Sequence, residues 1–187
     1  MQGAPFSIDN KYYSYKTLEA SGEVNIVGAS IVFSYNTSVK IVIDDSETIV
    51  LPEKSFLELP TCSSIAYTVE GNGYVVLLTN KQRQSLSNLL QLKSLEADAY
   101  QVTKPWGREL WITGKSPEYS MVLKFIEIKK GTKTSLQVHK LKYESNFLCN
   151  GEAIFRYSDA KYEGKGKKYK IDEINILNAS ILAMHRA

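Results

Sequence analysis

The sequence has few of the residues on which most catalytic sites are built. Only two cysteines, Cys62 and Cys149, occur in 187 residues. They are far apart and form no CxxC pair, so zinc-ribbon and dithiol redox spacings are both excluded. Cys149 follows Phe147-Leu148 and reads as a buried free thiol. Histidine is equally scarce, with only His139 and His185. There is no P-loop, no GxGxxG and no GxSxG elbow, and two histidines make a Ser/His/Asp hydrolase a poor fit. No apolar run approaches the roughly 20 residues of a membrane span. No signal-peptide pattern opens the chain, so a cytoplasmic protein without a membrane partner is expected. Charge of one sign is also lacking. Lys and Arg number 23 against 20 Asp and Glu, a net charge of +3, too small a surplus to argue for nucleic acid. Part of it sits at Lys165-Gly-Lys-Lys168, which reads as a solvated hairpin tip.

What is present is a β rhythm. Hydrophobic residues make up 43% and charged residues 23%, ordinary for a globular chain, and Tyr occurs 12 times alongside frequent Val and Ile. Apolar runs recur at Val24–Val27, Ala29–Tyr35, Val39–Ile43, Thr48–Leu51, Ser55–Leu59, Ile65–Val69 and Tyr74–Leu78. Asp44-Asp45, Pro52, Pro60 and Gly71-Asn-Gly73 punctuate them. Short strands at this spacing predict an all-β sandwich or barrel. Leu86, Leu89 and Leu90 break the rhythm at helical spacing and predict one amphipathic helix over Lys81–Leu92. Strands then resume at Tyr119–Ile128, Thr134–His139, Ser145–Cys149 and Ala153–Ser158, followed by Tyr169–Ile171, Ile174–Leu177 and Ile181–Met184. Asn150-Gly151 is a hairpin signal, because both residues tolerate the positive φ of a type I′ turn. The expected organisation is a β domain over 1–80 without metal residues, a helical linker over 81–99, and a second β domain over 100–187.

The stretch from Gly131 to Gly151 concentrates the chemistry: Gln137, His139 and Glu144 lie between two turn glycines. Gln137 and His139 would share one face of a strand by period-two alternation, with Glu144 returning from the next strand or its turn. An imidazole, a carboxylate and an amide oxygen suit a divalent metal such as Zn²⁺, Mn²⁺ or Fe²⁺. The alternative is a His139–Glu144 hydrogen bond inside a barrel without a metal.

This stretch resembles the first motif of the cupin superfamily, G-x5-H-x-H-x3,4-E-x6-G, with Gln137 in the first His place, His139 in the second, and Glu144 and Gly151 in the Glu and Gly places. With Lys104-Pro-Trp-Gly107 and Ser135-Leu-Gln-Val-His139 it looks like cupins of the phosphomannose isomerase type, over about residues 100–157. The resemblance implies a double-stranded β-helix, the cupin jelly roll, in two barrel halves joined by a short helix. It implies metal ligands at Gln137, His139, Glu144 and His185, and catalytic roles for Glu144 and Lys142. Substrate contacts are implied at Lys104, Trp106 and Lys142. The implied reaction is isomerisation of a sugar phosphate, in which a metal holds the sugar oxygens and a base moves a proton between adjacent carbons. The alternative is a cupin that binds a sugar or nucleotide-sugar without turnover, or a structural remnant of one.

The second cupin motif, P-x-G-x2-H-x3-N, is only partly present. His185-Arg186 matches, but Ser180 and Leu182 replace the Pro and Gly, and the sequence ends at Ala187. Closure of the barrel by the first half, by a neighbouring chain or by further sequence is therefore expected, and open edges favour a homodimer. Three residues keep alternatives. Lys142 binds a phosphate, or faces solvent. Trp106 stacks on a sugar, or packs where Pro105 and Gly107 set a turn. Glu109 pairs with a nearby base, or faces solvent.

Overall fold

The computed structural model describes residues 7–59, 64–81, 90–113, 121–135, 143–146, 150–155, 167–170 and 179–183. The first-half strands are β1 (Ser7–Asp9), β2 (Tyr13–Leu18), β3 (Ser21–Asn25), β4 (Ala29–Tyr35) and β5 (Ser38–Ile43). They continue with β6 (Glu47–Leu51), β7 (Ser55–Leu59), β8 (Ser64–Glu70) and β9 (Tyr74–Asn80). Then come β10 (Gln91–Ser94), the four-residue helix α1 (Leu95–Asp98), β11 (Tyr100–Lys104), β12 (Gly107–Trp111) and β13 (Met121–Ile128). The last are β14 (Tyr143–Asn146), β15 (Glu152–Phe155), β16 (Lys167–Lys170) and β17 (Ala179–Ala183).

The apolar runs fold as strands because successive side chains point to opposite faces, and in β5 one face is buried while the other stays partly or fully exposed. Strands β2–β9 fall into two sheets with the orders β2-β9-β4-β7 and β3-β8-β5-β6. That interleaving of eight antiparallel strands is the double Greek key of a jelly roll. Strands β1 and β10 extend the first sheet at its two edges, giving β1-β2-β9-β4-β7-β10. In the second half the order is β11-β12-β13-β17-β14, with β15 and β16 as a separate antiparallel pair. Within it β13-β17-β14 repeats the β2-β9-β4 arrangement of an early strand, the last strand and a middle one.

Strand β4 explains how the halves join. All seven of its residues are buried. Val32 packs with Val39, Ile41, Leu51 and Ile65 of the four-stranded sheet. Ile31, Phe33 and Tyr35 point the other way, into a cluster with Leu110, Ile112, Leu123 and Phe125 of the second half. The Phe125 ring lies 5.3 Å from that of Tyr35 and 6.0 Å from that of Phe33. The six-stranded sheet is thus a middle layer covered on both faces, which is why its central strand β4 is buried at every residue rather than at alternate ones.

The expected helix over Lys81–Leu92 needs correction at its C-terminal end. Gln91–Ser94 is a strand paired with β7 in the register Gln91↔Glu58 to Ser94↔Ser55, and the helix among the described residues is Leu95–Asp98. Leucine spacing satisfied a helix locally, but the free edge of β7 offers this segment a ladder of backbone hydrogen bonds. Residues 82–89 lie outside the described residues. The turn glycines agree with expectation: Gly131 and Gly151 have φ of 77° and 85°, the left-handed region.

Candidate functional site

Strands β11, β12 and β13 build the floor of the candidate site. The hairpin β11–β12 turns through Pro105-Trp106, with Lys104 paired to Gly107. The Trp106 carbonyl accepts hydrogen bonds from Lys129 N at 2.8 Å and Thr132 Oγ1 at 3.1 Å, which pin the turn to the end of β13. Gly107 is needed here. Its φ is 151°, and a Cβ would come within 1.8 Å of the Glu127 carbonyl oxygen. Lys104-Pro-Trp-Gly107 is therefore a tight turn, and Trp106 is half-buried in it.

Residues directly opposite in an antiparallel ladder share a face, as do residues two apart along a strand. One row runs Tyr100–Trp111–Lys124–Ser180–Asn146. The rows flanking it on the same face are Val102–Glu109–Ile126 and Val122–Leu182–Glu144. Position 144 thus lies on the face that carries Glu109 and Lys124. The opposite face carries Leu110, Ile112, Leu123 and Phe125 in the shared core.

Two charges are buried on this face. Glu109 is 9% exposed and Lys124 7% exposed. Lys124 Nζ donates to Glu109 Oε2 at 2.9 Å, and Trp111 Nε1 donates to the same oxygen at 2.8 Å. The Lys124 ammonium also sits 3.8 Å from the centroid of the Trp111 ring, a cation–π contact. Tyr100 meets that ring edge-on at 6.1 Å. Burial pushes the Glu109 carboxyl up, but the hydrogen bonds from Lys124 and Trp111, with the charges of Lys124 and Lys104, outweigh it and hold the group below the usual carboxylate range. Glu109 therefore pairs with a base rather than facing solvent.

Arg108, on the other face, ties α1 to β13. It grips Glu96 through two bonds of 2.8 Å and also donates from Nε to Glu127. The hydrogen bonds from Arg108 are the main reason the Glu96 carboxyl sits below its usual range.

Of the residues singled out from sequence, Lys104 and Trp106 lie at the β11–β12 turn and Glu144 in β14 opposite Leu182. Gln137, His139, Lys142 and His185 lie outside the described residues. No group of three or more His, Cys, Asp and Glu that could hold a metal occurs among the described residues. Ser180 and Leu182 sit within β17, which is paired on both sides. A proline in such a strand would remove a ladder hydrogen bond, so its replacement by Ser180 suits the position. Sequence reasoning missed Lys124. The signal was a single lysine interrupting the apolar run Met121-Val-Leu-Lys-Phe-Ile126.

No helix among the described residues is long and apolar enough to cross a membrane. No family model matches the chain, and no curated protein matches it. Among solved structures it is similar to the crystal structure of protein Ylba from E. coli, family-model DUF861, at 9% identity and a TM-score of 0.58, over 96% of this chain and 74% of that one. It also matches a serine-to-alanine mutant of Bacillus subtilis oxalate decarboxylase OxdC, at 8% identity and a TM-score of 0.46, over 98% of this chain and 72% of that one. Together with the strand order, the first likeness identifies the architecture: the chain has the all-β cupin jelly-roll fold.

Proposed function

We propose that this chain is a cupin that acts on a phosphorylated sugar, by metal-assisted isomerisation of the mannose-6-phosphate isomerase kind. The observation that carries the reading is the register of β13, β17 and β14. It brings the Glu144 position of the Gln137–His139–Glu144 motif onto the face that holds Glu109 and Lys124. A cupin motif whose Glu position shares a sheet face with the buried Glu109–Lys124 ion pair is suited to a polar site.

The donor set of two imidazoles, a carboxylate and an amide fits a divalent metal, and Gln137, His139, Glu144 and His185 are the residues that would hold it. A bound metal would supply Lewis-acid stabilisation of negative charge developing on the sugar oxygens. The chain's own residues have separate tasks. Lys104 and Lys142 receive the phosphate, and Trp106 stacks on the sugar. Glu144 or Lys142 moves the proton between adjacent carbons.

The test is metal analysis of the purified chain together with interconversion of mannose 6-phosphate and fructose 6-phosphate. About one equivalent of a transition metal, lost with turnover in His139→Ala, is the expected result. Absence of metal after incubation with excess Zn²⁺, Mn²⁺ and Fe²⁺ refutes the metal-dependent enzyme. The place of Ser180 and Leu182 within the doubly paired β17 favours a second reading, a cupin that binds a sugar or nucleotide-sugar without turnover. Saturable binding without isomerisation selects it. We further propose a homodimer, supported by the exposed Leu92 on the edge strand β10. Light scattering at twice 21.1 kDa is expected, and a monomer at all concentrations overturns it.

A further inference from the structure

We propose that the face formed by Lys104, Glu109 and Lys124 is a ligand-binding floor for a small molecule that carries a hydroxyl group and an oxyanion. Glu109 Oε1 accepts the hydroxyl, and Lys124 and Lys104 receive the oxyanion. This deepens the sugar-phosphate reading and rests on it for the choice of the first probe.

The bonding pattern around Glu109 carries the inference. Trp111 and Lys124 both donate to Oε2, and Oε1 has no hydrogen-bond partner among the described residues. The Lys124 ammonium has three N–H donors. One goes to Glu109 and the Trp111 ring occupies another side, so a donor is left over among the described residues. Lys104 lies on the same face, diagonal to Glu109 across the β11–β12 ladder. It has no carboxylate partner at ion-pair distance among the described residues, although its charge acts on Glu109. Two cations thus surround one carboxylate, and the surplus charge suits an anion.

Stability does not account for this arrangement. A buried ion pair is rarely better than apolar residues of the same volume, and the opposite face of the same strands is filled by Leu110, Leu123 and Phe125. The Trp111 N–H instead fixes the carboxylate, so Oε1, without a partner among the described residues, points in a set direction before any ligand arrives, which lowers the ordering cost of binding. The two side chains retain 9% and 12% of their surface, enough to be reached from one side.

The test is calorimetric titration of the full chain with mannose 6-phosphate, malate and inorganic phosphate. Lys124→Met and Glu109→Gln are each compared with the wild type, with circular dichroism as the folding check. The loss of one charge-assisted hydrogen bond should raise Kd about tenfold or more for the probe that binds. Inorganic phosphate, which lacks the carbon-borne hydroxyl, should bind more weakly and be insensitive to Glu109→Gln. Should a single variant fail to fold, the double variant Glu109→Leu/Lys124→Leu leaves no orphaned charge and serves in its place. Mannose 6-phosphate binding that is unchanged in the folded variants overturns the floor and leaves the sugar-phosphate reading standing. Malate binding that depends on both residues, without mannose 6-phosphate binding, supports the floor and overturns that reading. Binding of none of the three probes overturns both.

Discussion

Replacing Lys124 by Met strands the Glu109 carboxylate on a buried face with the Trp111 N–H as its one remaining partner among the described residues. At 2.9 Å, and with an effective dielectric constant of about 20, the lost attraction is about 6 kcal/mol before solvation. Desolvation of the two ions, several kcal/mol each, offsets most of that in the intact pair. The single variants are therefore expected to cost far more than the pair itself contributes. Breaking a buried pair costs about 3–5 kcal/mol, and the 9% and 12% residual exposure places this one at the lower end, about 3 kcal/mol. Glu109→Gln should cost about 2–3 kcal/mol, because the amide still accepts from Lys124 but no longer balances its charge. The double variant Glu109→Leu/Lys124→Leu should lie within about 1 kcal/mol of the wild type. The double-mutant cycle then gives a coupling of several kcal/mol, measured by urea denaturation with the slope held in common. The acid limb adds an independent check. The folded Glu109 carboxyl titrates below its ordinary value, so its stabilisation is present above about pH 4.3, the unfolded value, and is lost as pH falls through the lower folded value. The wild type should lose stability over that window and the double variant should lose less. Additive single variants, or equal acid sensitivity of the wild type and the double variant, would refute a tight buried pair.

Phe125→Ala removes the ring that meets Tyr35 and Phe33 across the layers, and should cost about 3–5 kcal/mol with one common unfolding transition for both halves. A loss under about 1 kcal/mol, or two separate calorimetric transitions, would show that the layers do not share a core. Gly107→Ala forces a Cβ to within 1.8 Å of a backbone oxygen at a φ of 151°, and should cost at least about 2 kcal/mol in thermal unfolding. An unchanged Tm would refute the turn geometry. Arg108→Lys loses the two-bond grip on Glu96, but both side chains are partly exposed, so a cost of only about 0.5–1 kcal/mol is expected, shrinking at high salt. A salt-independent loss would contradict that reading.

The sequence by itself determined many of the strands, though not Gln91–Ser94, Tyr100–Lys104 or Gly107–Trp111. Ala29–Tyr35 and Ser55–Leu59 are strands over those very residues, and the expected run Tyr119–Ile128 appears as Met121–Ile128. These runs depend on local alternation and turn residues, which a single chain displays. Lys104-Pro-Trp-Gly107 could likewise be recognised as a turn, because Pro and Gly restrict the backbone at the residue itself. The motif from Gly131 to Gly151 was legible as spacing, and its two glycines have the positive φ that spacing implied.

The tertiary structure alone decided which strands pair and what each face meets. Gln91–Ser94 became a strand because β7, more than thirty positions earlier, leaves an edge open to it. The seven consecutive buried residues of β4 follow from a second-half layer that covers its outer side, which local sequence does not encode. Lys124 looked like an ordinary interruption in an apolar run until the register set it beside Glu109 and Trp111, 15 and 13 positions away. Alternation assigns a side chain to one of two faces. Only long-range pairing says whether that face is core, solvent or site, because the partner strands come from distant parts of the chain.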